Sequence, residues 1–248
     1  MGNRRKSPVE IETVPVFMCS TELRLQLLSE LPFLGSLSAA EIAGANEAFR
    51  TFDYAEGDTI YFSGDPAGHL YVIASGQVRL MQHSGVGKDV LLDVLKPGDF
   101  FGSLTPGGDE RYTETAQAQS AACIMAITAV DFRDLMATYP QIALAVLDLT
   151  AVRLQKAQET VRQLSAFSAE QRLAAVLLQL AEKLGNQQAE GLLIQTRLSR
   201  EDLAQMTGAT PETASRIMAQ LQKDGLISSG RQWVAINDLQ GLAKLAEG

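Results

Sequence analysis

The spacing of apolar residues changes three times from Thr21 onward, and each change marks a different kind of structure. Leu23, Leu27, Leu28 and Leu31 recur at helical spacing within Thr21–Leu31. A second helical stretch covers Ser38–Phe49, with Pro32 and Gly35 breaking the chain between the two. The four leucines read as core. From Phe52 to Ile127 the period shortens: Thr59–Phe62, Leu70–Ala74, Gln77–Met81, Val90–Leu95 and Ala122–Ile127 are brief runs of β-forming residues, punctuated by glycines from Gly57 to Gly102. Short strands with glycine turns predict a β-sandwich or barrel, here a small jelly roll that holds one small ligand or fills itself with side chains. After Asp131–Ala137, Pro140 opens a long helical stretch reaching Ser165.

Along that stretch Leu147, Thr150, Leu154, Ala157, Val161 and Leu164 succeed one another at intervals of 3, 4, 3, 4 and 3 residues. This heptad seam predicts a parallel two-helix coiled coil, and so a homodimer. Ile142, Val146 and Leu149 form a second apolar face at its start, fit for packing on the chain's own barrel. A helix with two apolar faces has two partners, so it reads as linker and dimer axis together.

The segment from Leu198 to Ile236 carries the densest local signals. Ser199 caps a helix, with Asp202 three positions on completing a capping box. Gly208 supplies a turn, Thr210 caps a second helix, and Pro211 stands at its first turn, where no hydrogen bond is lost. Gly225 ends that helix, and Leu226-Ile227 and Trp233–Ile236 flank Ser228-Ser229-Gly230 as a two-stranded wing. On the second helix Ala214, Ile217, Met218 and Leu221 share one face, with Glu212, Thr213, Arg216 and Gln220 opposite and Ser215 at their margin. Such a helix fits the ~12 Å major groove of DNA and meets base edges with Arg, Glu and Ser, which predicts a winged helix-turn-helix.

Charge at first argues against nucleic acid, because the chain carries a net −8. Its distribution answers the objection. Residues 166–248 hold 8 Lys/Arg against 9 Asp/Glu, leaving 13 against 20 for residues 1–165. DNA affinity depends on the local placement of cations near phosphates. Two cysteines, Cys19 and Cys123, make no disulfide framework, and Cys123 within an apolar strand reads as an inert packing thiol. Pro8, Glu10 and Glu12 deny Arg4-Arg5-Lys6 the apolar core of a signal sequence, Lys6 stands where myristoylation needs Ser or Thr, and no run of ~18 apolar residues appears. A cytoplasmic protein with no membrane partner is expected. The predicted organisation is α+β: a flexible tail (1–20), a jelly-roll domain (21–139), a dimerisation helix (140–165) and a winged helix-turn-helix DNA-binding domain (166–248).

This arrangement resembles the CRP/FNR superfamily of bacterial transcription regulators. The barrel likeness lies in Gly57-Asp58, Gly64, Tyr71-Val72-Ile73, Ser75-Gly76 and Pro97-Gly98-Asp99-Phe100-Phe101-Gly102, and that of the joint in Gln171-Arg172-Leu173-Ala174. The resemblance implies a cyclic-nucleotide-binding-like sensor domain, a homodimer on double-stranded DNA and a contact with RNA polymerase. Glu212, Ser215 and Arg216, with Pro211-Glu212-Thr213 before them, are similar to the FNR and DNR branch. The cyclic-AMP receptor branch has Arg where Pro211 stands. An inverted repeat near TTGAT–ATCAA is implied, with Arg216 donating to guanine, Glu212 accepting from base amino groups and Ser215 near a thymine methyl. Thr210 and Thr213 flank these contacts, while Ser199, Arg200 and the wing residue Arg231 are placed for phosphates.

The candidate effector pocket is Gly102, Ser103, Leu104, Arg111, Tyr112 and Thr113. In the cyclic-nucleotide branch a Gly-Glu-Leu turn holds the ribose, and an adjacent Arg-Ser or Arg-Thr pair holds the phosphate. Here Ser103 replaces the carboxylate, Tyr112 separates Arg111 from Thr113, and Ala157-Gln158 stand where a Thr-Ser pair meets adenine. Cyclic AMP is therefore not the expected effector. An FNR-type iron–sulfur cluster needs four thiolates, which two cysteines do not provide within one subunit. The DNR likeness implies haem and nitric oxide, for which His69 and His83 are the sole imidazoles. A small-molecule or gas effector is expected, its identity open.

Two other classes compete. A cupin-like enzyme would need several His and carboxylate ligands converging in the barrel, and two histidines without a His-x-His pair argue against it. A DNA-free interaction protein would leave the outward Glu212 and Arg216 unexplained. The expectation is a regulator, not an enzyme.

Overall fold

The computed structural model describes residues 20–83, 89–103, 110–188, 191–196, 198–230 and 232–247. The chain divides into two compact units between Lys156 and Ala157.

The N-terminal unit opens with α1 (Thr21–Glu30), capped by the Ser20 hydroxyl, and α2 (Ala39–Glu47), whose Ser38 and Glu41 form a reciprocal capping box. Eight strands follow: β1 (Arg50–Tyr54), β2 (Thr59–Tyr61), β3 (His69–Ser75), β4 (Val78–His83), β5 (Asp89–Leu95), β6 (Phe100–Gly102), β7 (Thr115–Ala118) and β8 (Ala122–Thr128). They build two antiparallel four-stranded sheets, β1-β8-β3-β6 and β2-β7-β4-β5, the two layers of the expected jelly roll. Then come α3 (Ala129–Thr138) and the long α4 (Pro140–Ala166), which runs through the boundary between the units.

Strands β3 and β8 show why the polar alternation of an ordinary half-buried strand is missing from this sequence. Tyr71, Ile73, Ile124 and Ala126 point between the sheets, against Tyr61, Val78 and Ala116. Leu70, Val72, Met125 and Ile127 point the other way, under Leu27, Leu28 and Leu31, Phe132 of α3 and Ile142 of α4. A strand covered on both faces needs apolar residues at every position. Leu27, Leu28 and Leu31 are core as read, and Val146 and Leu149 join Ile142 against the barrel. Gly102 has φ +88, and a Cβ there would meet His69 O at 2.6 Å, so only glycine lets β6 lie this close to β3.

The C-terminal unit begins within α4 and adds α5 (Ala169–Leu184), β9 (Gly185–Gln188), β10 (Gly191–Gln195), α6 (Arg200–Thr207), α7 (Pro211–Lys223), β11 (Ile227–Gly230), β12 (Trp233–Ile236) and α8 (Leu239–Glu247). Leu173, Ala174, Leu177, Leu180 and Ala181 form the buried stripe of α5, packed on Leu203, Ile217, Met218, Leu221 and Leu242. The wing differs from expectation in two ways. Ser228, Ser229 and Gly230 belong to β11 itself, and the reversal falls after them, at Gln232 with φ +65. The sheet has four strands, β11-β12-β10-β9, because β10 pairs with β12 through Leu192↔Ile236 and Ile194↔Val234.

Cys123 also departs from expectation. It is fully buried on β8 yet disulfide-bonded, so it is not a packing thiol. Cys19, with most of the 1–20 tail, lies outside the described residues. No single helix among the described residues is long and apolar enough to cross a membrane.

Candidate functional site

Local sequence signals build the helix-turn-helix one after another. The Ser199 hydroxyl accepts from Asp202 N at 3.0 Å, and the Asp202 carboxylate accepts from Ser199 N at 2.8 Å. The hydroxyl also donates to that carboxylate at 2.8 Å, so the cap engages it fully. Gly208 closes α6 in the left-handed region, φ +62 and ψ +31, a conformation costly for residues with a Cβ. Thr210 then caps α7 by accepting from Thr213 N at 3.2 Å, with Pro211 in the first turn.

Helix α7 buries Ala214, Ile217, Met218 and Leu221, leaving Glu212, Ser215, Arg216 and Gln220 exposed and Thr213 half-buried. The Glu212 backbone N–H and the Thr210 hydroxyl hold the Glu212 carboxyl below the usual carboxylate range. It is therefore ionised at neutral pH and purely an acceptor, the chemistry suited to a base amino group. Arg200, on the first turn of α6, donates from Nη2 to Ser229 Oγ at 2.8 Å. Arg231 lies outside the described residues.

Arg172 has a role that the motif Gln171-Arg172-Leu173-Ala174 did not disclose. Its Nε donates to Thr207 O and its Nη1 to Phe167 O, both at 2.7 Å. One cation thereby ties the residue after α4 to the C-terminal end of α6, immediately before the turn that launches α7. Carbonyls at a helix C-terminus favour a positive charge.

The seam on α4 is bare in the single chain. Leu147, Leu154 and Val161 are 65%, 60% and 64% exposed, Leu164 is also exposed, and the exposed Leu144 stands beside the seam, one position after Ala143, where the heptad spacing would continue it. Thr150 and Ala157 lie on the same exposed row, the Thr150 hydroxyl donating back to Val146 O at 2.7 Å.

A cleft of about 270 Å³ in the N-terminal unit brings together Gly102, Ser103, Arg111, Tyr112 and Thr113. Leu104 lies outside the described residues. Arg111 and Thr113 are exposed and Tyr112 between them is buried, in a segment that is an isolated bridge followed by a bend. Arg111 Nη1 donates to Gly64 O at 2.5 Å. Tyr112 stacks on Tyr61 with ring centroids 3.7 Å apart, and Tyr71 and Phe101 extend the stack at 5.1 Å. The space between the sheets is thus filled with aromatic rings. Burial, with the Glu114 charge second, pushes the Tyr61 phenol far above its ordinary pKa, so it donates to Glu114 Oε1 at 2.9 Å.

The long helix contributes Thr150 and Arg153 to this cleft, and the loop contributes Glu110 and Glu114. The Arg153 side chain is exposed as a whole, but its guanidinium lies 4.4 Å above the Phe100 ring. Desolvation there lowers its pKa, opposed by Asp93, Glu114 and Asp99. The sequence reading missed Arg153 because the helix was read only for its apolar positions. His69, half-buried at the start of β3, donates its backbone N–H to Tyr112 Oη at 3.1 Å. The side chain of His83 lies outside the described residues.

Comparison with known proteins matches each unit separately. The cyclic nucleotide-binding domain family matches residues 51–139, and the Crp-like helix-turn-helix domain family matches residues 171–245. The chain is 30% identical over 217 residues to the cyclic AMP receptor protein of Thermus thermophilus, covering 88% of this chain and 97% of that one. It is 27% identical over 221 residues to the CRP-like cAMP-activated global transcriptional regulator of Mycobacterium tuberculosis, covering 89% and 99%. Among solved structures, FixK2 from Bradyrhizobium japonicum superposes with a TM-score of 0.70 at 26% identity, over 79% of this chain and 96% of that one.

Proposed function

The chain belongs to the CRP/FNR family of transcription regulators, and from that premise we propose that it is a homodimer reading an inverted repeat near TTGAT–ATCAA under the control of an effector at the sensor cleft. Regulators of this family bind DNA and are not enzymes. The observation that carries the operator reading is the exposed face of α7, where ionised Glu212, Ser215 and Arg216 follow a proline at the first turn. Pro211 has no side-chain donor for a guanine, so recognition falls to the three residues after it. The bare row from Leu147 to Leu164 supports the dimer, since isolated large apolar residues are common on surfaces but a heptad row of them marks a partner helix. A cytoplasmic location and a contact with RNA polymerase belong to the same proposal. Fluorescence anisotropy with a duplex carrying the repeat and with a scrambled duplex tests it. Specific binding should be stronger by ~10³-fold or more. Equal affinity for the two duplexes would overturn the reading.

The effector is proposed to be something other than cyclic AMP, although relatives carry that ligand in their names. Ser103 offers no carboxylate to a ribose, Arg111 is engaged by Gly64, and the stacked Tyr112 occupies the position between Arg111 and Thr113. The cleft also balances Arg111 and Arg153 against Glu110 and Glu114, which disfavours a bare phosphodiester. A haem held by His69 or His83 is the second effector reading, and His69, half-buried at the start of β3 with its ring 5.8 Å from that of Tyr71, is the described candidate ligand. Cyclic AMP at a hundredfold excess over its dissociation constant would add about 2.7 kcal/mol to stability. A thermal melt is expected to show no such shift, and a shift abolished by Arg111→Ala would overturn the proposal.

A further inference from the structure

We infer that Ser229 is a positioning residue for DNA recognition, through which Arg200 and Gln222 hold the wing in register with the recognition helix. The inference rests on the DNA-binding reading above. Three elements meet at this hydroxyl. Arg200 Nη2, from the first turn of α6, donates to Ser229 Oγ at 2.8 Å. Gln222 Nε2, from the last turn of α7, donates to the same oxygen at 2.9 Å and to the Ser229 carbonyl at 3.2 Å. Ser229 itself lies within β11 and is 8% exposed, so water does not substitute freely for either donor.

The wing needs such a tie. Strand β11 is the edge of its sheet and pairs only with β12, over four residue pairs from Ile227↔Ile236 to Gly230↔Trp233. A short edge strand with one neighbour is weakly held, and its outer carbonyls lack ladder partners. Gln222 satisfies one of those carbonyls, and Arg200 secures the adjacent side chain. Each donor comes from a different helix of the helix-turn-helix, so the wing is fixed to both.

Arg200 has a further property that matters for DNA. Among the described residues its hydrogen-bond partner is the neutral Ser229 hydroxyl, with no carboxylate, and burial lowers the pKa of its guanidinium. A half-buried cation without a counter-charge is completed by a phosphate. With Ser229 attached to the same guanidinium, a phosphate that orders Arg200 also orders β11. The wing and the helix-turn-helix then engage the duplex as one body.

Trp233, the single tryptophan of the chain, stands opposite Gly230 on β12 and reports on the wing directly. The test compares Ser229→Ala, Ser229→Thr, Arg200→Ala and the Ser229→Ala/Arg200→Ala double variant in the full chain. Duplex affinity and acrylamide quenching of Trp233 in the free protein are measured for each. Ser229→Ala keeps every charge, yet it is expected to weaken duplex binding roughly tenfold, the scale of one charge-assisted hydrogen bond, and to raise quenching of Trp233. Ser229→Thr should restore both, and the double variant should bind little worse than Arg200→Ala, since coupled residues do not add. Wild-type affinity in Ser229→Ala, or additive losses, would overturn the positioning role while leaving the DNA reading intact. A wild-type protein that binds no duplex overturns the DNA reading and the positioning role with it, even where Trp233 loosens.

Discussion

The double variant Leu154→Glu with Val161→Glu is expected to remain folded but monomeric, and to lose duplex affinity by about 10²-fold or more. Both side chains are more than half exposed in the single chain, so the substitutions cost the isolated protomer little. Across a parallel seam they would bring like charges together where water is scarce, which is strongly unfavourable. The two half-sites of an inverted repeat lie about one turn of DNA, ~34 Å, apart, so the second half-site is captured only by a joined protomer. Sedimentation equilibrium reads the assembly and anisotropy reads the binding. A wild-type monomer that binds the repeat tightly would remove the seam from the account, and with it the reason for the bare row on α4.

Arg216→Ala is expected to cost about 1–3 kcal/mol in each half-site and to blur the preference for the guanine of TTGAT. Arg216 lies one helical turn beyond Glu212 on the exposed face of α7, so the two can address neighbouring base pairs. Arg200→Ala provides the contrast. It should weaken binding to all duplexes alike and flatten the salt slope by about one unit, because phosphate contacts position without specifying. Competition with duplexes varied one base pair at a time separates the two behaviours. Full discrimination at the guanine in Arg216→Ala would show that this helix does not read DNA in the FNR manner.

The helix-turn-helix was legible because its signals are local. Ser199 with Asp202, Gly208, Thr210 with Pro211, and Gly225 each act within a few residues, through caps and backbone conformations that do not depend on the rest of the fold. The faces of α7 and α4 were legible for the same reason, since helical periodicity repeats over neighbouring turns. The runs of β3 and β8 were visible as strands, but their burial on both faces follows only from the helices laid across them.

Less of the sheet content could be read. Strands β1, β6 and β7, with sequences RTFDY, FFG and TAQA, are short and in part polar, and nothing in them marks a strand. They exist because β7 is held between β2 and β4, β6 beside β3 and β1 beside β8. The β9–β10 hairpin escaped notice for the same reason, and its pairing to β12 turned the expected two-stranded wing into the edge of a four-stranded sheet.

By itself, the sequence disclosed the first two helices, the long helix with its heptad row, the caps and exposed face of the helix-turn-helix and the order of the two units, while α5 and α8 went unread. The tertiary structure alone decided which strands pair, that aromatic rings fill the barrel behind Arg111, that Arg153 from a distant helix enters the cleft, and that Arg200 and Gln222 meet at Ser229. Helical hydrogen bonds and caps close over three or four residues, so their determinants lie side by side in the chain. Strand ladders and side-chain nodes close between residues far apart in sequence, 29 positions for Arg200 and Ser229, and only the folded chain brings those partners within reach.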